Sequence, residues 1–144
     1  MKSKSLRLQA IDYLARREHS QYELKRKLRQ KNWPDEEIDA ALAKLAHEGL
    51  QCDERFTEQY VNMRINAGYG PRRIALELQQ RGVSQALIAA IMPSDRDYWL
   101  TRLRQVCERK RVGATIDDMK TKARLTRFLL QRGFEPEQVQ QVLE

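Results

Sequence analysis

The sequence predicts an all-α fold, an elongated solenoid of right-handed type made of three tandem three-helix repeats. One spacing of apolar residues occurs three times, at intervals of about fifty residues, and such a period is typical of repeat arrays. In each copy an Asn or Gly precedes the central apolar residue, and both tolerate the left-handed backbone that ends a helix. Few helix breakers interrupt the chain, since its 144 residues include only six Gly and four Pro. The repeated apolar positions are Leu24, Leu28, Trp33, Ile38 and Leu42, then Ile74, Leu78, Val83, Ile88 and Met92, then Leu125, Leu129, Phe134, Val139 and Leu143, and the preceding residues are Asn32, Gly82 and Gly133.

The repeats are expected at residues 1–52, 53–93 and 94–144, together forming one continuous elongated domain. No Ser/Gly-rich linker or low-complexity tract separates them. Three copies are about the minimum with which stacked repeats bury a continuous core. We therefore expect the repeats to pack directly on one another.

Start and stop signals divide the first repeat into three helices. Ser5 is placed to cap the first helix. Ser20 with Glu23 three residues later forms a capping box for the second. The third opens at Pro34 and is expected to run to Gly49.

The second repeat is expected to start near Asp53 and to be broken at 68–70, where a Gly-Tyr-Gly run stands. Pro71 follows at a plausible first helical position, and Ser84 caps a short third helix closed by Met92 and Pro93. The residues predicted to share the inner face of the first helix of this repeat are Phe56, Tyr60 and Met63.

The third repeat is an imperfect copy. It opens at Ser94 or Asp95, and its first helix is displaced before a loop expected at 112–115. Its last helix is expected from Pro136 to Leu143. The residues that keep a helical face on its first helix are Leu103, Val106 and Cys107.

Residues suited to catalysis or metal binding are few. His19 and His47 are the only histidines, neither has metal-ligand spacing to another ligand, and a capping or surface role is expected for both. Cys52 and Cys107 lie far apart without a CxxC motif, so we expect free thiols that are buried or half-buried. Carboxylates gather at helix starts, where the helix dipole favours them. The sequence therefore predicts no active site, no metal and no cofactor.

The charge is strongly positive, with a formal net charge of +7. Residues 1–33 contain ten Lys/Arg against three acids, and residues 95–132 contain eleven against five. Such runs are either solvated helix faces or an electrostatic footprint for a polyanion or an acidic protein surface, and the second reading gains weight because the second helix of both outer repeats is basic. The basic residues of these helices are Lys25, Arg26, Lys27, Arg29 and Lys31, and Lys120, Lys122, Arg124, Arg127 and Arg132.

The aromatic residues divide into two groups. Trp33 and Phe134 occupy the repeated position after the helix end, which favours core packing over stacking on nucleobases. Tyr69 differs, because it stands between two glycines and is followed closely by Arg72 and Arg73. This segment suits either an exposed contact patch or a staple onto the next helix.

No run of apolar residues approaches the length of a membrane span, and no apolar segment follows the basic start of the chain. We expect a cytoplasmic, monomeric protein without a membrane partner.

Four motifs, in order along nearly the whole chain, resemble the bacterial RecX family of regulatory proteins. They are the stretches His19-Ser20-x-x-Glu23-Leu24-x-x-Lys27-Leu28, Asp53-Glu54-Arg55-Phe56, Gly68-Tyr69-Gly70-Pro71-Arg72-Arg73-Ile74 with Glu77-Leu78 and Arg81-Gly82, and Arg127-Phe128-Leu129-Leu130-x-Arg132-Gly133-Phe134. One departure is Asn32, which stands where a glycine is usual at that turn.

The resemblance implies tandem three-helix repeats without enzymatic activity. It also implies a modulator that binds the RecA nucleoprotein filament, blocks its extension or lies in its groove, and restrains strand exchange, ATP hydrolysis and LexA autocleavage. The residues expected to contact RecA or DNA are Lys25, Arg26, Lys27, Arg29, Tyr69, Arg72, Arg73, Lys120, Lys122, Arg124 and Arg127.

A DNA-binding protein is the alternative class. The last two helices of each repeat are joined by the short turn of a helix-turn-helix. The would-be recognition helices, at 36–46 and 85–92, are acidic or apolar, which disfavours base readout and leaves contacts to the phosphate backbone open. A generic helical scaffold would follow if neither RecA nor DNA bound.

Overall fold

A computed structural model of the chain describes residues 4–111 and 118–144, and the loop expected at 112–115 lies outside the described residues. The described residues form nine α-helices and no strand, as the sequence predicts. The helices are α1 (Leu6–Arg16), α2 (Gln21–Gln30), α3 (Asp35–His47), α4 (Asp53–Asn66), α5 (Pro71–Gln80), α6 (Gln85–Ile91), α7 (Arg96–Lys110), α8 (Met119–Gln131) and α9 (Pro136–Leu143).

Local capping follows the predicted signals. Ser5 accepts a hydrogen bond from the amide of Leu8, and the capping box of Ser20 and Glu23 is complete. Asp95 caps α7, and the hydroxyl of Ser84 accepts from the amide of Leu87 at the start of α6. These bonds satisfy amide groups that the first turn of a helix leaves without partners.

The repeated apolar positions form the core. Thirteen of the fifteen are buried, and the exceptions are Trp33 and Met92, which are half-buried. Trp33 packs on the first-repeat core while its Nε1 donates to Gln9 Oε1 at 2.9 Å. Phe134, at the equivalent position, is only 1% exposed, so the prediction of core packing is confirmed for Phe134 and holds in part for Trp33.

The same Schellman turn ends the second helix of every repeat. The residue before the central apolar position has positive φ, at 68° for Asn32, 79° for Gly82 and 95° for Gly133. In each case the next residue donates its amide to the carbonyl five residues back, as Phe134 does to Leu129 at 3.3 Å. These turns matter below because neighbouring repeats dock on two of them.

Helix α4 differs from the prediction, since Met63 is 54% exposed. The buried stripe instead contains Val61 and Ile65, and polar residues stand among the covered positions of the helix. Thr57 is fully buried, with its hydroxyl donating to the carbonyl of Asp53, and Arg64 is partly buried against a carboxylate. A helix face that includes buried polar residues is not recognised from the spacing of apolar residues alone.

The chain divides into two compact units, Met1–Tyr60 with Leu78–Ile88, and Val61–Glu77 with Ala89–Glu144. Each unit contains one docking of a helix start onto a Schellman turn. In the first, Ser20 Oγ donates to the carbonyl of Arg81 at 2.7 Å. In the second, the amide of Gly70 donates to the carbonyl of Arg132 at 2.7 Å and that of Arg72 to the carbonyl of Gly133 at 2.9 Å. Ser20 and Gly70 occupy equivalent positions in their repeats, and so do Arg81 and Arg132. The same junction therefore occurs twice.

Candidate partner-binding surfaces

The histidines and cysteines do not come together. His47 is exposed as expected, but a surface role for His19 is wrong, because its side chain is 1% exposed. Its ring instead contacts the carbonyl of Arg17, the C-cap residue of α1, which agrees with the capping alternative. Cys52 is half-buried and Cys107 buried, and both are free thiols. Among residues 4–111 and 118–144, no cluster of His, Cys, Asp and Glu is suited to hold a metal ion.

His19 lies against the side chains of Tyr13 and Lys27. Its Nδ1 lies 3.0 Å from the carbonyl of Arg17 and its Nε2 lies 2.8 Å from Lys27 Nζ, while the Lys27 ammonium also sits over the ring of Tyr13. Burial, and after it the positive charges of Arg17 and Lys27, lower the pKa of His19. A neutral imidazole fits this place, because Nδ1 can donate while Nε2 accepts from the ammonium.

Most of the basic side chains of α2 have a partner within their own repeat. Lys25 pairs with Asp39 at 2.9 Å, and Arg29 binds Asp35 through two hydrogen bonds of 2.8 Å, which lower the pKa of that carboxyl. Lys27 is held by His19, as described above. Arg26 is exposed, and its side chain has no partner among the described residues. The start of α3 therefore neutralises much of the predicted basic face.

Helix α8 keeps its charges available. Lys120, Arg124 and Arg127 are exposed and lie at i, i+4 and i+7, so they form one row on the helix surface. None of the three side chains has a partner in the described part of the chain. Lys122 is half-buried and belongs to a different side of the helix. Two pairs of predicted site arginines occupy equivalent positions in different repeats, Arg26 with Arg127 and Arg73 with Arg124, and all four are exposed.

The turn between α4 and α5 builds a cluster of guanidinium groups around Tyr69, which is half-buried. The guanidinium carbon of Arg64 lies 3.7 Å from the centre of the Tyr69 ring, that of Arg132 4.4 Å and that of Arg73 4.8 Å. We call these four residues the Tyr69 cage. Positive charge is attracted to the face of an aromatic ring, so the ring gathers three like charges.

Further contacts fix the cage. Arg64 binds the carboxylate of Glu77 through two hydrogen bonds of 2.9 Å, and Arg73 reaches the same carboxylate at 3.1 Å. Arg73 also donates to the carbonyl of Gln131, and Arg132 to that of Ala67. The staple expected for Tyr69 is present, since its ring contacts Arg73 of the next helix as well as Arg64 and Arg132. The contact patch stays a prediction.

Sequence reasoning placed Tyr69, Arg72 and Arg73 together but missed Arg64 and Arg132. Both follow from the Schellman geometry. Tyr69 donates its amide to the carbonyl of Arg64, so these residues occupy the two positions whose side chains meet in that motif. Arg132 precedes the left-handed residue Gly133, and a basic residue stands at the equivalent place in all three repeats.

These features define an all-helical repeat protein whose distinctive surface groups are basic and aromatic. Comparison with known families matches residues 7–45 to the first three-helix domain of RecX, residues 53–92 to the second and residues 96–143 to the third. The chain belongs to the RecX family.

Named relatives and solved structures agree with this assignment. Regulatory protein RecX of Pseudomonas entomophila (strain L48) is 45% identical over 139 residues, covering 96% of this chain and 90% of the relative. Its counterpart in Pseudomonas savastanoi pv. phaseolicola is 45% identical over 130 residues, covering 90% and 84%. The crystal structure of RecX from Lactobacillus salivarius superposes with a TM-score of 0.81 at 20% identity, covering 96% of this chain and 92% of that one, and so shares the fold.

No helix in the described part of the chain combines the length and apolar character of a membrane span.

Proposed function

We propose that this protein is a non-enzymatic regulator that binds the RecA nucleoprotein filament and restrains it. The observation that carries the proposal is the alignment of a curated regulatory protein RecX with 96% of the chain at 45% identity. The protein restrains recombinase, ATPase and coprotease activities by blocking filament extension or by lying in the filament groove. It acts in the cytoplasm as a monomer and needs no cofactor.

The repeats supply a physical reason for filament binding. A filament presents the same surface on successive subunits, and linked units that each bind weakly reach high combined affinity through effective concentration. The exposed cations of the two compact units provide long-range attraction to an acidic surface. Partner contacts are proposed at Arg26, at the row on α8 and at the turn that carries Tyr69, Arg72 and Arg73. Lys25, Lys27 and Arg29 remain in the proposed set as secondary contacts, because their internal partners compete for them.

The DNA-dependent ATPase of RecA, titrated with this protein, tests the proposal. We expect inhibition at well below one molecule per RecA subunit, because a protein that blocks growth at an end or spans several subunits needs few copies. An ATPase that stays unchanged in an equimolar excess of folded protein would refute the proposal.

Binding to the DNA backbone is the second candidate function, and the row of Lys120, Arg124 and Arg127 favours it. Successive side chains of this row are separated by roughly 4.5 to 6 Å along the helix axis, and the phosphates of one strand follow one another about every 3.4 Å along the duplex axis, so more than one side chain of the row can contact the same strand. The helices that would enter a groove, α3 and α6, offer little to read bases, since the first turn of α3 carries three acids and α6 carries no charged residue. This activity is therefore expected to be independent of sequence.

A further inference from the structure

The turn between α4 and α5 concentrates positive charge beyond what its own repeat neutralises. The three arginines of the Tyr69 cage and the adjacent Arg72 carry four positive charges. Glu77 pairs with two of them, Arg64 and Arg73. Arg72 is exposed, and its side chain has no partner in the described chain. Like charges held this close repel one another, so an incoming anion gains energy from the whole cluster.

We propose that the Tyr69 cage with Arg72 is the docking site for an acidic protein segment, one that presents carboxylate side chains. This inference rests on the proposed function in one respect, since it assigns the segment to the RecA filament. The cage holds Arg73 in place through Tyr69 and Glu77 and leaves Arg72 and the outer edges of the guanidiniums to meet the segment.

The geometry favours carboxylates over a phosphate backbone. Arg64 already binds the Glu77 carboxylate through two hydrogen bonds, the arrangement typical of carboxylate recognition, so one carboxylate is already bound within the cluster. The three guanidiniums converge on one ring within 4.8 Å, which makes a compact point of charge. A nucleic-acid strand instead needs cations in a row, and the row on α8 supplies them. The two surfaces therefore suit different partners.

Tyr69 acts as a positioning residue in this site. Its ring lies beneath three guanidiniums and its amide is held by the carbonyl of Arg64. Removing the ring takes away the one contact that all three guanidiniums share, which weakens the convergence on which the affinity depends. The hydroxyl has no part in this mechanism, so Tyr69→Phe is expected to behave like the wild type.

Fluorescence anisotropy with two probes tests the assignment, using a labelled glutamate-rich peptide and a labelled oligo(dT). For Arg72→Gln we expect peptide affinity to fall by about fivefold to tenfold and RecA inhibition to need correspondingly more protein, with oligo(dT) affinity unchanged. Tyr69→Ala should act in the same direction, and Tyr69→Phe should restore binding. Arg104→Gln is the matched control, because Arg104 is an exposed arginine without a partner in the described residues. Circular dichroism checks that each variant retains its helices.

Each outcome decides the matter. If Arg72→Gln weakens oligo(dT) as much as peptide, the occupant is a phosphate backbone and the proposal is wrong. It is also wrong if neither the peptide affinity nor the RecA inhibition changes. If wild-type protein leaves RecA unaffected while Arg72→Gln still weakens the peptide, the acidic-segment site stands and the proposed function fails.

Discussion

Gly70 donates its backbone amide to the carbonyl oxygen of Arg132, with 2.7 Å between nitrogen and oxygen. A Cβ at residue 70 would lie 2.6 Å from the carbonyl carbon of Gly133, closer than real contacts allow. The bond therefore forms because residue 70 is a glycine. Since Arg132 is also part of the Tyr69 cage, this single backbone contact joins the docking of two repeats to the candidate site.

The Schellman turns are expected to differ in their tolerance of Asn. Gly82 lies against the side chain of Tyr22 and Gly133 against the backbone of Arg73, whereas Asn32 is exposed and already carries a Cβ. Asn tolerates the left-handed backbone, so Gly82→Asn and Gly133→Asn add a side chain at the docking contact while the residue can keep its positive φ. We expect each to lower the free energy of unfolding in urea by about 1 to 3 kcal/mol. Asn32→Gly, the matched change, should shift it by less than about 1 kcal/mol, and equal losses at all three turns would contradict the docking explanation.

Truncation of the central apolar residue is expected to cost more in the third repeat than in the first. Phe134 is 1% exposed and contacts Trp99 edge-on, so Phe134→Ala should cost about 3 to 5 kcal/mol. Trp33 is half-buried, so Trp33→Ala should cost less. Urea unfolding of both variants measures the difference. Equal losses of unfolding free energy would show that the exposed fraction of these two side chains does not predict the cost of removing them. A stable variant that lost DNA binding would point to stacking on bases.

Stability is expected to fall on mild acidification because of His19. Its pKa is lowered in the folded protein, so the unfolded chain binds a proton at a higher pH than the folded chain does. The unfolding free energy contributed by this group is therefore complete above the ordinary histidine pKa of about 6.5 and is lost as the pH falls through that value toward the folded pKa. Urea unfolding between about pH 8 and pH 5 measures the slope. His19→Gln should flatten it, while His47→Gln, at an exposed site, should not, and an unchanged slope in His19→Gln would contradict this account.

Charge reversal on α8 is expected to weaken DNA binding more than charge reversal on α2. Arg124→Glu with Arg127→Glu removes two unpaired cations, so the plot of log affinity against log salt for single-stranded DNA should lose a slope of about 1.4. Lys25→Glu with Lys27→Glu removes cations already engaged by Asp39 and His19 and should change the slope less. Titrations at several salt concentrations distinguish the two. An equal change in both pairs would mean that the internal partners of α2 release their lysines on binding.

The elongation of the array and its handedness remain predictions from the repeats. A compact protein of 144 residues has a radius of gyration of roughly 14 to 15 Å. Small-angle scattering should give a larger value, with circular dichroism showing a mostly helical protein. A radius within the compact range would refute the elongated solenoid.

The sequence by itself determined the repeats and the ends of the helices. The capping box at Ser20 and the left-handed residue at Gly133 are read from neighbours within one helical turn, because the groups they satisfy lie that close along the chain. Trp33 and Met63 mark the limit of this reading. How far each side chain is covered depends on helices from elsewhere in the chain, which apolar spacing alone does not describe.

Only the tertiary structure decided which charges are available to a partner. Helices α2 and α8 are both basic in sequence. In the folded chain Asp35 and Asp39 neutralise Arg29 and Lys25, while the row on α8 has no such partner in the described residues. The tertiary structure likewise brings Arg132 to the ring of Tyr69 across 63 positions of sequence. The physical reason is that a cap is satisfied by backbone groups one turn away, whereas the pairing of a long charged side chain depends on packing that brings distant residues within a few ångströms.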